Sequence, residues 1–345
     1  MPRCPSEATV LDFVHGALPP RRTLRLQRHL DHCLACGQLG AALQAFQPRP
    51  RAGIPVPARV GRYKIRRHLR NETYGPVFSA IGPTGEQSCA LKLVSGEHAH
   101  HLDPATLNAL GDRLRRLDDP RVVPILDAGR SGDDVYIVMP RVGGITLREL
   151  LEDERDSWRS TADLFTRLAR TLHAVHATGI AHGNLTLDNV LIDARGEVRV
   201  ADFGFAGHGT LPTHSVPRRR GVRGLDDGPR CLAPEQFGGV QDSRTDQFAF
   251  GVLLFEALYA CAPYQGKTAG DLLMATVDDG LQLPAHRPGG TAMWELVRRC
   301  LSTDPRERWP DMATVADELG GRAHRRFAWL GLLLRGRGRP DYRRA

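Results

Sequence analysis

The pattern of apolar and polar positions changes character three times along the chain. Residues 1–46 read as two or three short helices. Residues 47–60 carry Pro48, Pro50, Pro55 and Pro57, and closely spaced prolines favour an extended linker. From Gly61 the pattern becomes strand-like alternation, in which successive side chains face opposite sides. Within it Val135-Tyr-Ile-Val-Met139 reads as a buried strand. The segment from Pro104 to about Leu117 places Leu107, Leu110, Leu114 and Leu117 at helical spacing, which predicts an amphipathic helix with one apolar stripe. Long helical stretches then run to about Leu319, and residues 320–345 form an Arg-rich tail. No internal repeat of fixed period is visible.

Composition narrows the class. A chain of 345 residues has room for a domain of roughly 250 residues and a small one. With 41% hydrophobic and 25% charged residues it is globular in composition rather than disordered. The net charge of +8 comes almost wholly from Arg, because Lys occurs only at Lys64, Lys92 and Lys267. Arg218–Arg220 and the tail hold much of it, which is an Arg-biased composition with a basic end rather than a nucleic-acid surface. No specific nucleic-acid partner is expected. The tail sets Phe327, Trp329, Leu330 and Leu332–Leu334 among its arginines, which suits a docking patch or weak contact with an anionic membrane surface. No transmembrane segment is expected, because the longest apolar run near the end, Phe327–Leu334, falls far short of the ~20 residues that cross a bilayer. Met1–Gly16 lacks the apolar core of a secretory signal. A cytoplasmic location follows as the expectation, and seven cysteines there suggest metal binding or burial rather than disulfides.

The segment His29-Leu-Asp-His-Cys33-Leu-Ala-Cys36 sets a His one helical turn before a Cys and closes on a C-x-x-C pair. With Cys4 these residues would make a tetrahedral Cys3His zinc site, with His32 as a competing ligand that points elsewhere on the helix. A segment this short buries too little apolar surface to fold alone, and metal would supply the difference. From Cys4 to about Phe46 the stretch resembles the zinc-binding anti-sigma-factor module, a Cys followed by a H-x-x-x-C-x-x-C helix. The resemblance implies a protein partner.

From Arg62 to Leu319 six motifs stand in register. Cys89-Ala-Leu-Lys92 is similar to a strand that presents a phosphate-binding Lys. His182-Gly-Asn-Leu185 with Asn189 resembles the catalytic loop H-R-D-L-x-x-x-N, and Asp202-Phe-Gly204 the metal-binding D-F-G. Ala233-Pro-Glu235, Asp246-Gln-Phe-Ala-Phe-Gly251 and Arg308 follow in order. Together they resemble the Hanks-type serine/threonine protein kinases of bacteria. The resemblance implies an α+β, bilobal protein-kinase fold, with a small β-rich lobe and a large helical lobe, behind the small helical zinc module. It implies ATP with Mg²⁺ as cofactor. Leu69, Val77 and Ala90 would cover the adenine and Leu191 lie beneath it, with Met139 as gatekeeper and the Val142 N–H at the hinge. Lys92 would hold phosphate, and Asn189 and Asp202 the Mg²⁺. Arg308 would pair with Glu235.

Four departures concern chemistry more than fold. Asn184 stands where the family has its catalytic Asp, and an amide is a negligible base. The Gly-rich loop keeps only Gly75, with Arg70 and Glu72 in the other two glycine positions; a carboxylate there repels phosphate unless the exposed loop swings it away. Leu110 replaces the Glu that orients the phosphate-binding Lys. Thr186 and Gly228 replace a Lys and a Thr that touch the catalytic Asp, and Gly183 removes the Arg that reads an activation-loop phosphate, which makes Thr210, Thr213 and Ser215 poor switch candidates. The sequence therefore reads as a pseudokinase that binds ATP weakly and transfers phosphate poorly or not at all. The alternatives are a weakly active serine/threonine kinase and a sigma-factor or partner-binding scaffold acting through the zinc module.

Overall fold

The computed structural model describes residues 56–321 apart from 73, 84, 86–87, 154–157, 205–227, 267–268 and 279, together with Pro5, Arg22, Arg25, Leu26, Arg28, His29 and Cys33. Six strands form an antiparallel sheet: β1 (Arg59–Val60), β2 (Tyr63–Glu72), β3 (Gly75–Ile81), β4 (Ser88–Val94), β5 (Asp127–Ser131) and β6 (Asp134–Pro140). Their order is β1-β2-β3-β4-β6-β5. The buried strand expected at Val135–Met139 lies within β6, beside β4.

Two helices separate β4 from β5: α1 (Glu97–His100) and α2 (Pro104–Arg116). The start of α2 follows from local chemistry. Asp103 accepts hydrogen bonds from the N–H groups of Ala105 and Thr106, and Pro104 sits where a missing N–H costs nothing. Its apolar stripe faces inward: Leu107 and Leu114 are buried, while Leu110 and Leu117 are partly buried against the core.

The larger half is helical: α3 (Leu147–Asp153), α4 (Trp158–His176), α5 (Ser243–Tyr259), α6 (Ala269–Val277), α7 (Gly290–Cys300) and a last helix over 312–321. A small sheet of β7 (Gly144–Thr146), β8 (Val190–Asp193) and β9 (Val198–Val200) lies among them. Helix α5 is apolar on nearly every side, and every residue from Thr245 to Phe255 is buried, as a helix without a polar face must be. Asp242 caps it by accepting from Arg244 and Thr245. This is the bilobal kinase fold that the motifs implied.

Of the three hydrophobic cores among the described residues, two bear on the site. One fills the helical lobe, with Phe165, Leu168, Phe250, Leu254 and Val297 at full burial. The other joins the sheet to the large lobe through Val94, Leu107, Ile125, Met139, Leu191 and Ala201. The candidate site is built on this second core.

Of the amino-terminal module, Arg22, Arg25, Leu26, Arg28 and His29 are helical, and the Cys33 N–H donates to the His29 carbonyl at 2.8 Å. Leu26 is buried, and Arg28 donates to the Ala194 carbonyl at 3.2 Å, just beyond β8. Cys4 and Cys36 lie outside the described residues, as do the tail and Thr210, Thr213 and Ser215. Among the described residues no group of three or more His, Cys, Asp or Glu is placed to hold a metal. No helix among them is long and apolar enough to cross a membrane.

Candidate functional site

Lys92 lies on β4, opposite Val77 of β3 and Ile137 of β6, which encloses its stem in the sheet. Its side chain is 1% exposed, and its ammonium bonds two carboxylates: Asp202, and Glu72 Oε2 at 2.9 Å. Burial alone would lower the Lys92 pKa, but Asp202 and Glu72 outweigh it, so the group stays protonated above its ordinary value. Burial would raise Glu72; Lys92 and Arg70 instead hold its carboxyl below the usual range. Asp202 is pushed up, chiefly by burial and with help from the Glu72 charge, against the pull of Lys92.

The catalytic-loop region is braced from α5. Asp246 accepts from the His182 N–H at 2.7 Å and the Gly183 N–H at 2.8 Å, and pairs with His176 Nε2 at 2.7 Å. Burial opposes its charge, yet the His176 hydrogen bond and the other partners hold its pKa below the ordinary value. His182 is fully buried; its Nε2 meets the Ala201 carbonyl at 2.8 Å while Nδ1 accepts from the Asn184 N–H at 3.2 Å. That pattern requires the neutral ring with the proton on Nε2, and burial lowers the His182 pKa accordingly. The Asn189 amide donates to the Asn184 carbonyl at 2.7 Å. Asn184 is thus fixed on both sides of its peptide, with a neutral amide as its side chain.

The donor set fits a divalent cation. Asp202 Oδ1 is buried without a hydrogen-bond partner among the described residues. Asn189 spends its N–H₂ on Asn184, which leaves its amide oxygen as an acceptor. A carboxylate oxygen and an amide oxygen suit Mg²⁺. Asp202 also takes a left-handed backbone (φ 71°) at the head of Asp202-Phe-Gly204, a conformation in which strain gathers at functional turns.

Of the residues assigned to the nucleobase, Ala90, Met139, Val142 and Leu191 sit together on the second core. Ala90 pairs with Met139 across β4 and β6, and Val77 is buried on β3. Met139 and Leu191 share the second core, with Ala90 and Val142 packed against it. Leu69 lies on β2 where its pairing with β3 shifts register between His68 and Arg70. In the large lobe Arg308, buried, grips Glu235 with two nitrogens at 2.6 and 2.9 Å and also reaches the Arg244 and Ser302 carbonyls.

A protein kinase domain model matches residues 63–318, spanning all of these groups. The chain belongs to the protein kinase family. Kinase PknD of Mycobacterium tuberculosis is 27% identical over 267 residues, which cover 76% of this chain and 40% of PknD. Pkn2 of Myxococcus xanthus is 31% identical over 298 residues, covering 82% of this chain and 34% of Pkn2. Both are serine/threonine-protein kinases, and the chain spans about a third to two fifths of their length. In fold it is similar to a crystallised PknI kinase domain of Mycobacterium tuberculosis, with TM-score 0.59 and 22% identity over 79% of this chain and 99% of that one.

Against the kinase pattern, two expectations change. Leu110 does turn its side chain to the core, as the apolar stripe required, and stands within van der Waals reach of a Cβ built on Gly204. Lys92 nonetheless has a second carboxylate partner, which comes from the end of β2 in place of α2. Glu72 does not swing into solvent; its side chain is 6% exposed and turned onto Lys92. Gly75, the loop's remaining family glycine, is fixed by close approach, since its φ is 143° and a Cβ would lie 2.0 Å from the Leu93 carbonyl oxygen. Sequence reasoning named Glu72 as an obstacle and missed it as a partner; a carboxylate two residues beyond Arg70 at a hairpin end was the available signal.

Proposed function

We propose that this chain is a pseudokinase: a kinase-fold signalling protein that holds ATP with Mg²⁺ weakly and transfers phosphate poorly or not at all. One observation carries the reading. Asn184 stands at the base position with its peptide held by His182 and Asn189, so the loop is formed but offers an amide where the chemistry asks for a carboxylate. A general base contributes about 10²–10⁴ in rate. Bound ATP with Mg²⁺ would supply the transferable phosphoryl group and the cation that neutralises it. Lys92, Asp202 and Asn189 would orient them, while Met139, Ala90, Leu191, Val77, Leu69 and Val142 would take the base.

A weakly active serine/threonine kinase is the second reading. The Lys92–Asp202 contact and the oriented Asn189 favour it, because phosphoryl transfer depends heavily on positioning and electrostatics. A thermal-shift titration with ATP, with and without Mg²⁺, followed by an autophosphorylation assay, separates the two. The pseudokinase reading expects a small shift dependent on Lys92 and Asp202, and near-background phosphotransfer. Robust Lys92-dependent phosphorylation would promote the second reading.

The amino-terminal module is read as a structural zinc site of Cys4, His29, Cys33 and Cys36 that docks a protein partner, with a sigma factor as one partner class. His29 Nε2, buried and without a hydrogen-bond partner among the described residues, supports a metal there, since an imidazole nitrogen is a common zinc ligand. About one zinc per chain is expected. Full zinc retention in the Cys33→Ser, Cys36→Ser double variant would sink the assignment.

A further inference from the structure

Glu72 occupies the second glycine position of the phosphate loop, yet its carboxylate is neither solvated nor idle. Oε1 lies 2.6 Å from both Nε and Nη2 of Arg70, and Oε2 lies 2.9 Å from Lys92 Nζ. The end of the loop is folded down with it. Tyr74 sets its ring centroid 5.4 Å from Lys92 Nζ and packs edge-on against His98 at 5.2 Å, against the same core that carries the nucleobase residues. One carboxylate between a guanidinium and an ammonium is the arrangement in which such groups bind a phosphate oxygen. Lys92, moreover, is the residue this cleft would offer to a nucleotide's phosphates.

We infer that the Glu72 carboxylate is an internal anion seated in the phosphate subsite, so that the cleft as folded accepts a nucleoside while a phosphate chain enters only by displacing Glu72 from Lys92 and Arg70. The inference rests on the reading that the cleft takes adenine compounds. The physical reason is charge counting in a dry place. Lys92 already meets two carboxylates, and a phosphate added with Glu72 in position would set a third anionic group on one buried ammonium. Like charges at that range, shielded from water, repel strongly. A nucleoside carries no such charge and leaves the Arg70–Glu72–Lys92 chain intact. Glu72 thus selects against phosphate, the reverse of a carboxylate whose task is to aim Lys92 at it.

The test is calorimetric titration of the full chain with adenosine and with ATP plus Mg²⁺, in the native protein and in Glu72→Ala, Glu72→Gly and Glu72→Gln. The native protein should bind the two ligands with affinities within a few-fold of each other. Removing the carboxylate should tighten ATP at least tenfold and leave adenosine within twofold. Glu72→Gln, which keeps the shape and drops the charge, should move in the same direction and covers the case in which the smaller residues fail to fold. Adenosine binding that persists while ATP stays unchanged or weakens in every folded variant overturns the inference and makes Glu72 a positioning residue for Lys92. Loss of both ligands in every form, native included, defeats the nucleotide reading itself and the inference with it.

Discussion

Two buried ion pairs, one in each lobe, have similar chemistry and stand differently to the kinase pattern. In the large lobe Arg308 binds Glu235 with two nitrogens and is 1% exposed. In the small lobe Lys92 binds Glu72, with a similar degree of burial. The first pair follows the kinase pattern and ties the Ala233-Pro-Glu235 motif to the segment just before the last helix. The second departs from the pattern and sits where phosphate would bind. The Arg308–Glu235 pair thus keeps the family frame, while the contacts of Lys92 include a carboxylate from a position where the family has glycine. The difference lies in where the anion comes from: Glu235 belongs to a motif in register with the others, whereas Glu72 stands in a glycine position and meets Lys92 only through strand pairing.

The largest effect expected is on the frame. Arg308→Ala removes the fully buried partner of a bidentate pair whose Glu235 side chain is 13% exposed, and should cost about 3 kcal/mol of unfolding free energy, because Glu235 and two backbone carbonyls lose their donor. Denaturant unfolding followed by tryptophan fluorescence checks it; a loss under about 1 kcal/mol would break the contrast between the lobes. Asp246→Asn is expected to cost roughly 1.5–3 kcal/mol, since three hydrogen bonds to a charged acceptor weaken at once.

On the chemical side, Asn184→Asp alone should raise phosphotransfer by less than about tenfold, since groups that act as a unit restore little singly. Pairing it with Glu72→Gly should give a clear further gain. Pairing it with Leu110→Glu should give less, because Lys92 already carries Glu72. Equal gains from the two pairs, measured by radiolabelled phosphate transfer, would remove the special place of Glu72.

The smallest effect concerns pH. His182 is buried neutral with a lowered pKa, so below the ordinary imidazole value of about 6.5 the unfolded chain takes up a proton that the folded chain refuses. Stability should therefore fall with acidification from about pH 6.5, by at most ~1.4 kcal/mol per unit from this group, until the pH reaches its lowered folded value. Glu72 and Asp246, both held low, add losses of the same sign only in more acid solution. His182→Asn should flatten the profile between pH 5 and 7 relative to the native chain, a difference read from paired urea titrations.

Motif order determined the kinase fold and the neighbourhood of Lys92, Asn189 and Asp202, and the helical spacing of its leucines determined the apolar inward face of α2. These are local or periodic properties: residue type at fixed spacing dictates which face is buried and which side chain a strand or turn presents. That an amide, a poor base in any setting, stands at position 184 where the family motif has Asp was legible for the same reason. Tertiary structure alone decided the fate of Glu72. Whether a loop carboxylate faces solvent or turns inward depends on what lies beneath it, and Lys92, twenty residues away on another strand, is brought there only when β2, β3 and β4 pair. Register between strands and the charge balance of a buried cluster are non-local, and no spacing along the chain encodes them.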